Sequence, residues 1–250
     1  MIETHGVPTR LLVGSEHPCG YLPELRARSA FIDPALPMNA NLYRKLLDLG
    51  FRRSGGYVYR PLCRHCDACR PVRVPVARFT PDRTQRRCLH RNRDLTLHPV
   101  ARLGDEHFAL YRRYLRARHP GGGMDPDDAT AFHEFFNAAW SQTQFWEFRF
   151  GEHGALAGVC VVDLLPGALS AVYTFFDPNQ GRRSLGTWAI LREIEIAHDI
   201  GLPYLYLGYW VEHSHKMNYK RRFQPLEVLA GVGWVPLAPS IARHEDQTHP

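Results

Sequence analysis

The plainest chemistry in this chain lies in three cysteines two residues apart, Cys63, Cys66 and Cys69, with a fourth at Cys19. Thiolates spaced C-x2-C-x2-C on a tight loop can converge on one metal, because the backbone between them turns without strain. Four sulfur donors suit zinc or an iron–sulfur cluster. The alternative is a set of reduced loop thiols that bind nothing. The N-terminal sequence has no secretory pattern, so metal is preferred over disulfides. Arg60, Arg64, Arg70 and Arg73 flank the run and are expected to lower the thiol pKa values. Cys88, on a basic helix, and Cys160, in an apolar strand, read as structural thiols.

A second concentration of reactive types spans residues 170–220. A strand over Ser170 to Phe176 ends at Asp177-Pro178. Arg182 and Arg183 follow in a turn. Ser184 is placed to cap a helix running toward Ala197, Gly201 stops it, and the next strand begins at Pro203. A basic turn at a helix N-terminus between two strands is an anion site: it offers free backbone N–H groups, the positive dipole end and two guanidinium groups. Acetyltransferase-like folds hold a cofactor pyrophosphate at such a turn, with the pattern Q/R-x-x-G-x-G/A. Here the matching residues are Arg183-Ser184-Leu185-Gly186-Thr187-Trp188. An indole at the last position should block a pyrophosphate, which argues against coenzyme A and leaves a nucleic-acid phosphate as the anion. In the alternative reading Trp188 is core and the arginines are solvated.

These residues need a scaffold, and the hydrophobic pattern supplies one. Asn39 caps a helix through Leu49, Phe51 to Pro61 forms a hairpin turning at Ser54-Gly55-Gly56, and a short strand covers Val72 to Val76. Pro81 opens a basic helix over 82–94. Helices are expected over 105–118 and 127–140. Strands over 145–150, 156–163 and 170–176 then alternate with turns as an antiparallel meander. The expected fold is α+β, with a small cysteine-containing N-terminal domain (1–94) and an acetyltransferase-like C-terminal domain (95–250) built on a mixed, largely antiparallel sheet. Residues 244–250 are expected to fray.

Charge narrows the function. The chain carries a net charge of +6, yet residues 44–93 alone hold 14 Lys or Arg against three Asp. A basic face this concentrated points to a polyanion such as nucleic acid, the alternative being a solvated surface. No apolar run is long enough to span a membrane, and a cytoplasmic address is expected. The sequence contains no Walker A run, GxSxG elbow or HExxH helix.

Several motifs together resemble the arginyl-tRNA–protein transferase family. Cys19-Gly-Tyr-Leu, Gly50-Phe-Arg-Arg-Ser-Gly-Gly, Tyr59-Arg-Pro with the cysteine run, and Arg86-Arg87…Arg91-Asn92 are similar to its N-terminal domain. Phe176-Asp-Pro, Ser184-Leu-Gly, Leu191-Arg-Glu-Ile, Tyr206-Leu-Gly-Tyr and Lys216-Met-Asn-Tyr-Lys are similar to its C-terminal one. The cysteine arrangement resembles the bacterial, leucine-transferring branch. That resemblance implies transfer of leucine from Leu-tRNA to proteins beginning with Asp or Glu, which makes an N-degron. Arginine transfer, or a non-catalytic RNA-binding protein with a zinc module, is the alternative. Eukaryotic members carry a second cysteine where this chain has Leu22, so their metal chemistry does not transfer to it.

The implied reaction is aminolysis of an activated ester, with aminoacyl-tRNA as co-substrate and no further cofactor required. Arg83, Arg86, Arg87, Arg91, Arg182 and Arg183, with Ser184, are candidates for cradling the tRNA end. Lys216 and Lys220 are candidates for meeting acceptor or phosphate charge. Phe175, Trp188, Tyr206 and Trp210 could line a leucine pocket or be core. Asp177 is a candidate base, its alternative role being a turn cap, and His213 and His215 are substitutes. Tyr173 and Tyr219 could donate hydrogen bonds to the oxyanion.

Overall fold

The computed structural model describes residues 2–4, 7–231 and 233–238; the fraying expected at 244–250 lies outside them. Helix α1 (Ala40–Asp48) is capped by Asn39, whose side chain accepts from the Leu42 N–H at 2.9 Å. Tyr43, Leu46 and Leu47 form its buried face. Gly50, at φ +83°, turns the chain into the hairpin of Arg52–Ser54 and Tyr57–Pro61, since only glycine takes that conformation without strain. The hairpin joins Ser29–Ile32 and Leu11–Val13 in a four-stranded sheet.

The large sheet has eight strands. In spatial order they are Leu95–Val100, Gln142–Phe150, Leu156–Leu165, Ala168–Phe176, Tyr204–Trp210, Arg70–Pro75, Glu227–Ala230 and Gly233–Pro236. The expected mixed, largely antiparallel α+β arrangement is therefore present. The sheet crosses the expected division at 94/95, because Arg70–Pro75 sits deep within it. Helices α2 (Arg83–Arg91) and α5 (Leu185–Asp199) pack on one face, around Val72, Val74, Cys160, Trp188 and Leu205. Helices α3 (Asp105–Arg118) and α4 (Ala129–Phe136) cover part of the other, around Val159, Val161 and Phe175. The remainder of that face meets α1 and the small sheet. Helix α4 stops at Phe136, short of the expected Trp140, because Asn137 is already extended. Among the described residues no helix is long and apolar enough to cross a membrane.

All but one of the large sheet's pairings are antiparallel. Ala168–Phe176 and Tyr204–Trp210 run parallel and pair only at Leu169–Leu205 and Ser170–Tyr206. Beyond those pairs the strands part. One stays in register with Leu156–Leu165, and the other bulges between Tyr206 and Gly208 to follow Arg70–Pro75. A parting of parallel strands toward their carboxyl ends is where open sheets make room for ligands.

The small sheet is bolted to the large one by Arg53. Its guanidinium forks onto Asp163, Nε to Oδ2 at 2.6 Å and Nη2 to Oδ1 at 2.8 Å, and also donates to Phe136 O and Thr143 Oγ1. Both side chains of the pair are fully buried. Asp163→Ala should leave a buried guanidinium without its counter-ion and cost about 3–5 kcal/mol, read as a lower urea midpoint. An unchanged midpoint would mean that Phe136 O and Thr143 suffice to hold it.

Candidate active site

The candidate site is the gap between the parting strands. Arg52, the neighbour of Arg53, faces the opposite way and reaches into this gap. Its guanidinium donates to Ser170 Oγ at 3.3 Å, in the last paired rung, and to the carbonyl of Ala171, the first residue past it. Gly208 makes the approach possible. It has φ +78°, and a Cβ there would lie 3.2 Å from Arg52 Cζ. Arg52 is 9 % exposed. No carboxylate among the described residues forms an ion pair with it, whereas Arg53, Arg73 and Arg149 each have at least one.

Tyr21 and Tyr219 lie within the field of this cation, and Tyr114 and Tyr173 lie close to those two, so tyrosines from four elements gather here. Tyr173 comes from the strand Ala168–Phe176, Tyr114 from α3, Tyr219 from the short turn Asn218–Arg222, and Tyr21 from the Cys19–Leu25 turn. Tyr173 and Tyr114 rings meet edge-on at 6.3 Å. The Tyr173 hydroxyl is buried without a hydrogen-bond partner. Burial, reinforced by Tyr114, raises its pKa, so the phenol stays protonated and can donate. Tyr219 is 39 % exposed along one side of a crowded mouth, and the protein around it, with Tyr114 and Glu193, raises its pKa as well.

Two buried ionisable groups lie beneath. Lys220 Nζ donates to the Tyr209 carbonyl at 2.7 Å. Burial, and then the charge of Arg52, lowers its pKa to about 7. Glu193 on α5 is fully buried, and neither of its oxygens has a hydrogen-bond partner at hydrogen-bonding distance. Burial raises it to about 8, with the Cys160 thiol and Arg52 acting in the opposite sense. At neutral pH Glu193 is largely uncharged and Lys220 is poised to exchange a proton. Beyond Tyr114, whose ring meets His119 at 5.5 Å, lies a cavity of about 570 Å³ lined in part by His119, Met124 and the Gly121–Gly123 turn. Burial, and then the charge of Lys216, lowers the His119 pKa.

Comparison with known proteins agrees with this architecture. The model described as "Arginine-tRNA-protein transferase, C terminus" matches residues 106–230, and its N-terminus counterpart matches 17–87. Aspartate/glutamate leucyltransferases from two Stenotrophomonas maltophilia strains, R551-3 and K279a, are 50% and 51% identical over 230 residues, covering 90% of this chain and 92% of theirs. One from Saccharophagus degradans is 45% identical over 227 residues, covering 90% of this chain and 96% of its own. The chain belongs to the arginine-tRNA-protein transferase family.

Several residues singled out in the sequence are engaged otherwise than expected. Asp177 is committed to its turn, its carboxylate accepting from the Asn179 N–H at 3.1 Å. His213 and His215 are exposed. Ser184 begins α5 in a left-handed conformation, and its side chain makes no cap hydrogen bond. Arg183 does not face an anion site: it pairs with Asp94 at 2.7 Å and stacks over Phe150. Trp188 is core, 4.9 Å from the Phe148 ring. Phe175, Trp188, Tyr206 and Trp210 line no common pocket. Trp188 and Trp210 lie on one face of the sheet and Phe175 on the other, while Tyr206 packs with α1 and donates to Asp48. The bulge between Tyr206 and Gly208 turns Tyr206 and Trp210, four residues apart on one strand, to opposite faces.

The exposed residues fare differently. Arg83, Arg86, Arg87 and Arg91 line the outer face of α2, and Arg182 and Lys216 are also exposed. Arg91 donates to the Arg182 carbonyl, which joins the helix to the turn.

The cysteines converge without forming a ligand set. Cys19, Cys63 and Cys66 each help push the Cys69 thiol up, burial being the larger cause, to about 12. The expected lowering by flanking arginines does not reach Cys69. Arg64 pairs with Glu16, Arg73 with Asp48 and Glu227, and Arg60 and Arg70 lie over Phe51 and Trp210. Among the described residues no group of three or more His, Cys, Asp or Glu side chains is arranged to hold a metal ion. The residues as placed do not fit the expected zinc or cluster.

Sequence reading missed Arg52, Tyr21, Tyr114 and Glu193. Arg52, Tyr21 and Glu193 lie inside motifs quoted above for the family resemblance but were given no role, and Glu193 also lies four residues from both Ala189 and Ala197, on the buried stripe of α5. Its raised pKa has a consequence for stability. The unfolded carboxyl releases its proton near the ordinary value of 4.5 and the folded one near 8. Between these values the folded state binds more protons, so this contribution is present at low pH and is lost as pH rises toward 8. Glu193→Gln should remove that slope and gain on the order of a few kcal/mol over wild type at pH 9, seen in melting temperatures across pH. Parallel profiles for the two proteins would contradict it.

Proposed function

We propose that the protein transfers leucine from Leu-tRNA to the α-amine of proteins beginning with Asp or Glu, giving them the N-terminal leucine of an N-degron. The observation that carries this is the name shared by relatives 45–51% identical across nine-tenths of the chain. The acetyltransferase-like reading of the fold is supported by the single splayed parallel pair.

The acceptor amine attacks the ester carbonyl of leucyl-tRNA. A tetrahedral oxyanion forms, the bond to the ribose oxygen breaks, and the ribose hydroxyl leaves with a proton. Tyr173, kept protonated by burial, and Tyr219, whose pKa is raised by the protein crowded around it, donate hydrogen bonds to the oxyanion. Lys220 takes over the base role first considered for Asp177, because an amine with a pKa near 7 can accept the proton of the attacking ammonium. Cys69, Arg52 and the Tyr209 carbonyl are the groups that set its state. Exposed Arg83, Arg86, Arg87, Arg91, Arg182 and Lys216 hold the tRNA backbone, and the cavity beside His119 receives the leucyl end.

The test uses purified protein, tRNA charged with labelled leucine or arginine, and peptides beginning Asp, Glu or Ala. Leucine should move to the Asp and Glu peptides alone. Arginine transfer instead would keep the chemistry and overturn the amino-acid assignment. The rate at saturating substrates should rise with pH through about 7, as Lys220 loses its proton. Lys220→Met should abolish that rise and lower kcat on the order of 10²–10⁴-fold, the usual contribution of a general base. A folded Lys220→Met protein with an unchanged pH profile would remove Lys220 from the mechanism. Arg86→Glu with Arg87→Glu should weaken tRNA binding and flatten its salt dependence by about two phosphate contacts, measured as the slope of log K against log salt. An unchanged slope would place the tRNA elsewhere.

A further inference from the structure

Among the described residues Arg52 is the buried cation of the cleft that forms no ion pair. A guanidinium cannot shed its charge, so a buried one is stable only when its donors are engaged and a counter-ion is near. Arg53 has Asp163, Arg73 has Asp48 and Glu227, and Arg149 has Glu106 and Glu147. Arg52 has only neutral partners, the Ser170 hydroxyl and the Ala171 carbonyl, which leave part of its five-donor fork unengaged. Glu193 lies within its field, but it is held in the neutral form by burial through neutral pH. Phenols also feel Arg52, those of Tyr21, Tyr43, Tyr59, Tyr209 and Tyr219, together with the amine of Lys220, while the Asp163 carboxylate across from Ser170 is taken up by Arg53. Neither the phenols nor the amine supplies a negative charge at neutral pH.

We propose that Arg52 binds the side-chain carboxylate of the acceptor's first residue and is thereby the specificity-determining residue for acidic N-termini. This rests on the leucyltransferase reading and deepens it. The site favours a carboxylate over a tRNA phosphate on two grounds. Arg52 lies inside the gap between the strands, whereas the cations suited to a polynucleotide are exposed on α2. A planar fork also matches a carboxylate in a narrow slot. The arrangement places the acceptor's α-amine among Tyr173, Tyr219 and Lys220, where the attack is made. Its neutral analogues, Asn and Gln, would leave the guanidinium still without a counter-ion, so discrimination against them follows from the same feature.

Calorimetry with short peptides beginning Asp, Glu, Asn or Gln tests this without any transfer. Wild type should bind the Asp and Glu peptides at least about tenfold more tightly than the amides. Arg52→Gln should lose that preference while binding of Leu-tRNA stays within about twofold. In the transfer assay Arg52→Lys, which keeps the charge but not the fork, should raise KM for the Asp peptide about tenfold while KM for Leu-tRNA stays within about twofold. It serves as the second variant should Arg52→Gln fail to fold. A folded Arg52→Gln protein that still prefers Asp to Asn overturns the assignment, and so does one that loses Leu-tRNA affinity instead. A wild type that prefers acidic peptides in binding but transfers no leucine to them would overturn the proposed function and leave the role of Arg52 standing.

Discussion

The Arg53–Asp163 fork decides where everything else at the junction can lie. The strand Arg52–Ser54 is three residues long, and successive side chains leave it on opposite sides. With Arg53 drawn into the large sheet at Asp163, Thr143 and the Phe136 carbonyl, Arg52 turns the other way, to the last paired rung at Ser170 and to Ala171 just beyond it. An apolar pair of similar volume could bind the two sheets as strongly. It would lack a two-point fork and so would not fix the angle at which they meet. A second ionic cluster, Arg73 with Asp48, Tyr206 and Glu227, fastens α1 to the neighbouring strands. The cleft thus inherits its geometry from charged contacts at its edges, and its lining is free to be tyrosine.

Local chemistry made most of the elements legible in the sequence. Asn39 caps α1 and Asp82 caps α2 with Gln85 completing the capping box, both through interactions within four residues. The antiparallel meander of 142–176 was equally readable, since alternation and turn residues carry it. The site was less readable for one reason: which way a side chain faces depends on partners far away in sequence. Arg52 and Arg53 look alike in a basic segment, and their fates are set by Ser170 and Asp163, more than a hundred residues on. Arg183 looked like an anion ligand until Asp94 was beside it. Tyr173 and Tyr219 were found as residue types suited to the chemistry, while Tyr21 and Tyr114, brought to them by a turn and a helix from elsewhere in the chain, carried no local mark of a role. Family resemblance marked the stretches that hold Tyr21, Arg52 and Glu193 but gave those side chains no role.

Lys220 and Glu193 show how burial shapes the cleft. Each is displaced toward its neutral form, an amine toward about 7 and a carboxyl toward about 8. Their contributions to stability run in opposite directions. Glu193 favours the folded state below its unfolded pKa and loses that contribution as pH rises to about 8. Lys220, depressed from 10.5, penalises folding most below about 7, and the penalty eases as pH rises toward its unfolded value. The two slopes oppose each other between about 7 and 8, where the changing charge on both groups is least able to move the fold.

Among the described residues, the same burial leaves Arg52 as the permanently charged group of the cleft without an ion-paired carboxylate. In a medium less polarisable than water, a single uncompensated guanidinium attracts an entering carboxylate strongly, and no internal carboxylate has to be displaced first. Had Glu193 been ionised, it would have neutralised Arg52 and the gap would have no electrostatic preference. Had Lys220 been permanently protonated, the attacking amine would have had no base beside it. Desolvation of two side chains therefore does two separate things: it silences a carboxyl so that Arg52 can act on a ligand, and it frees an amine so that a proton can be taken.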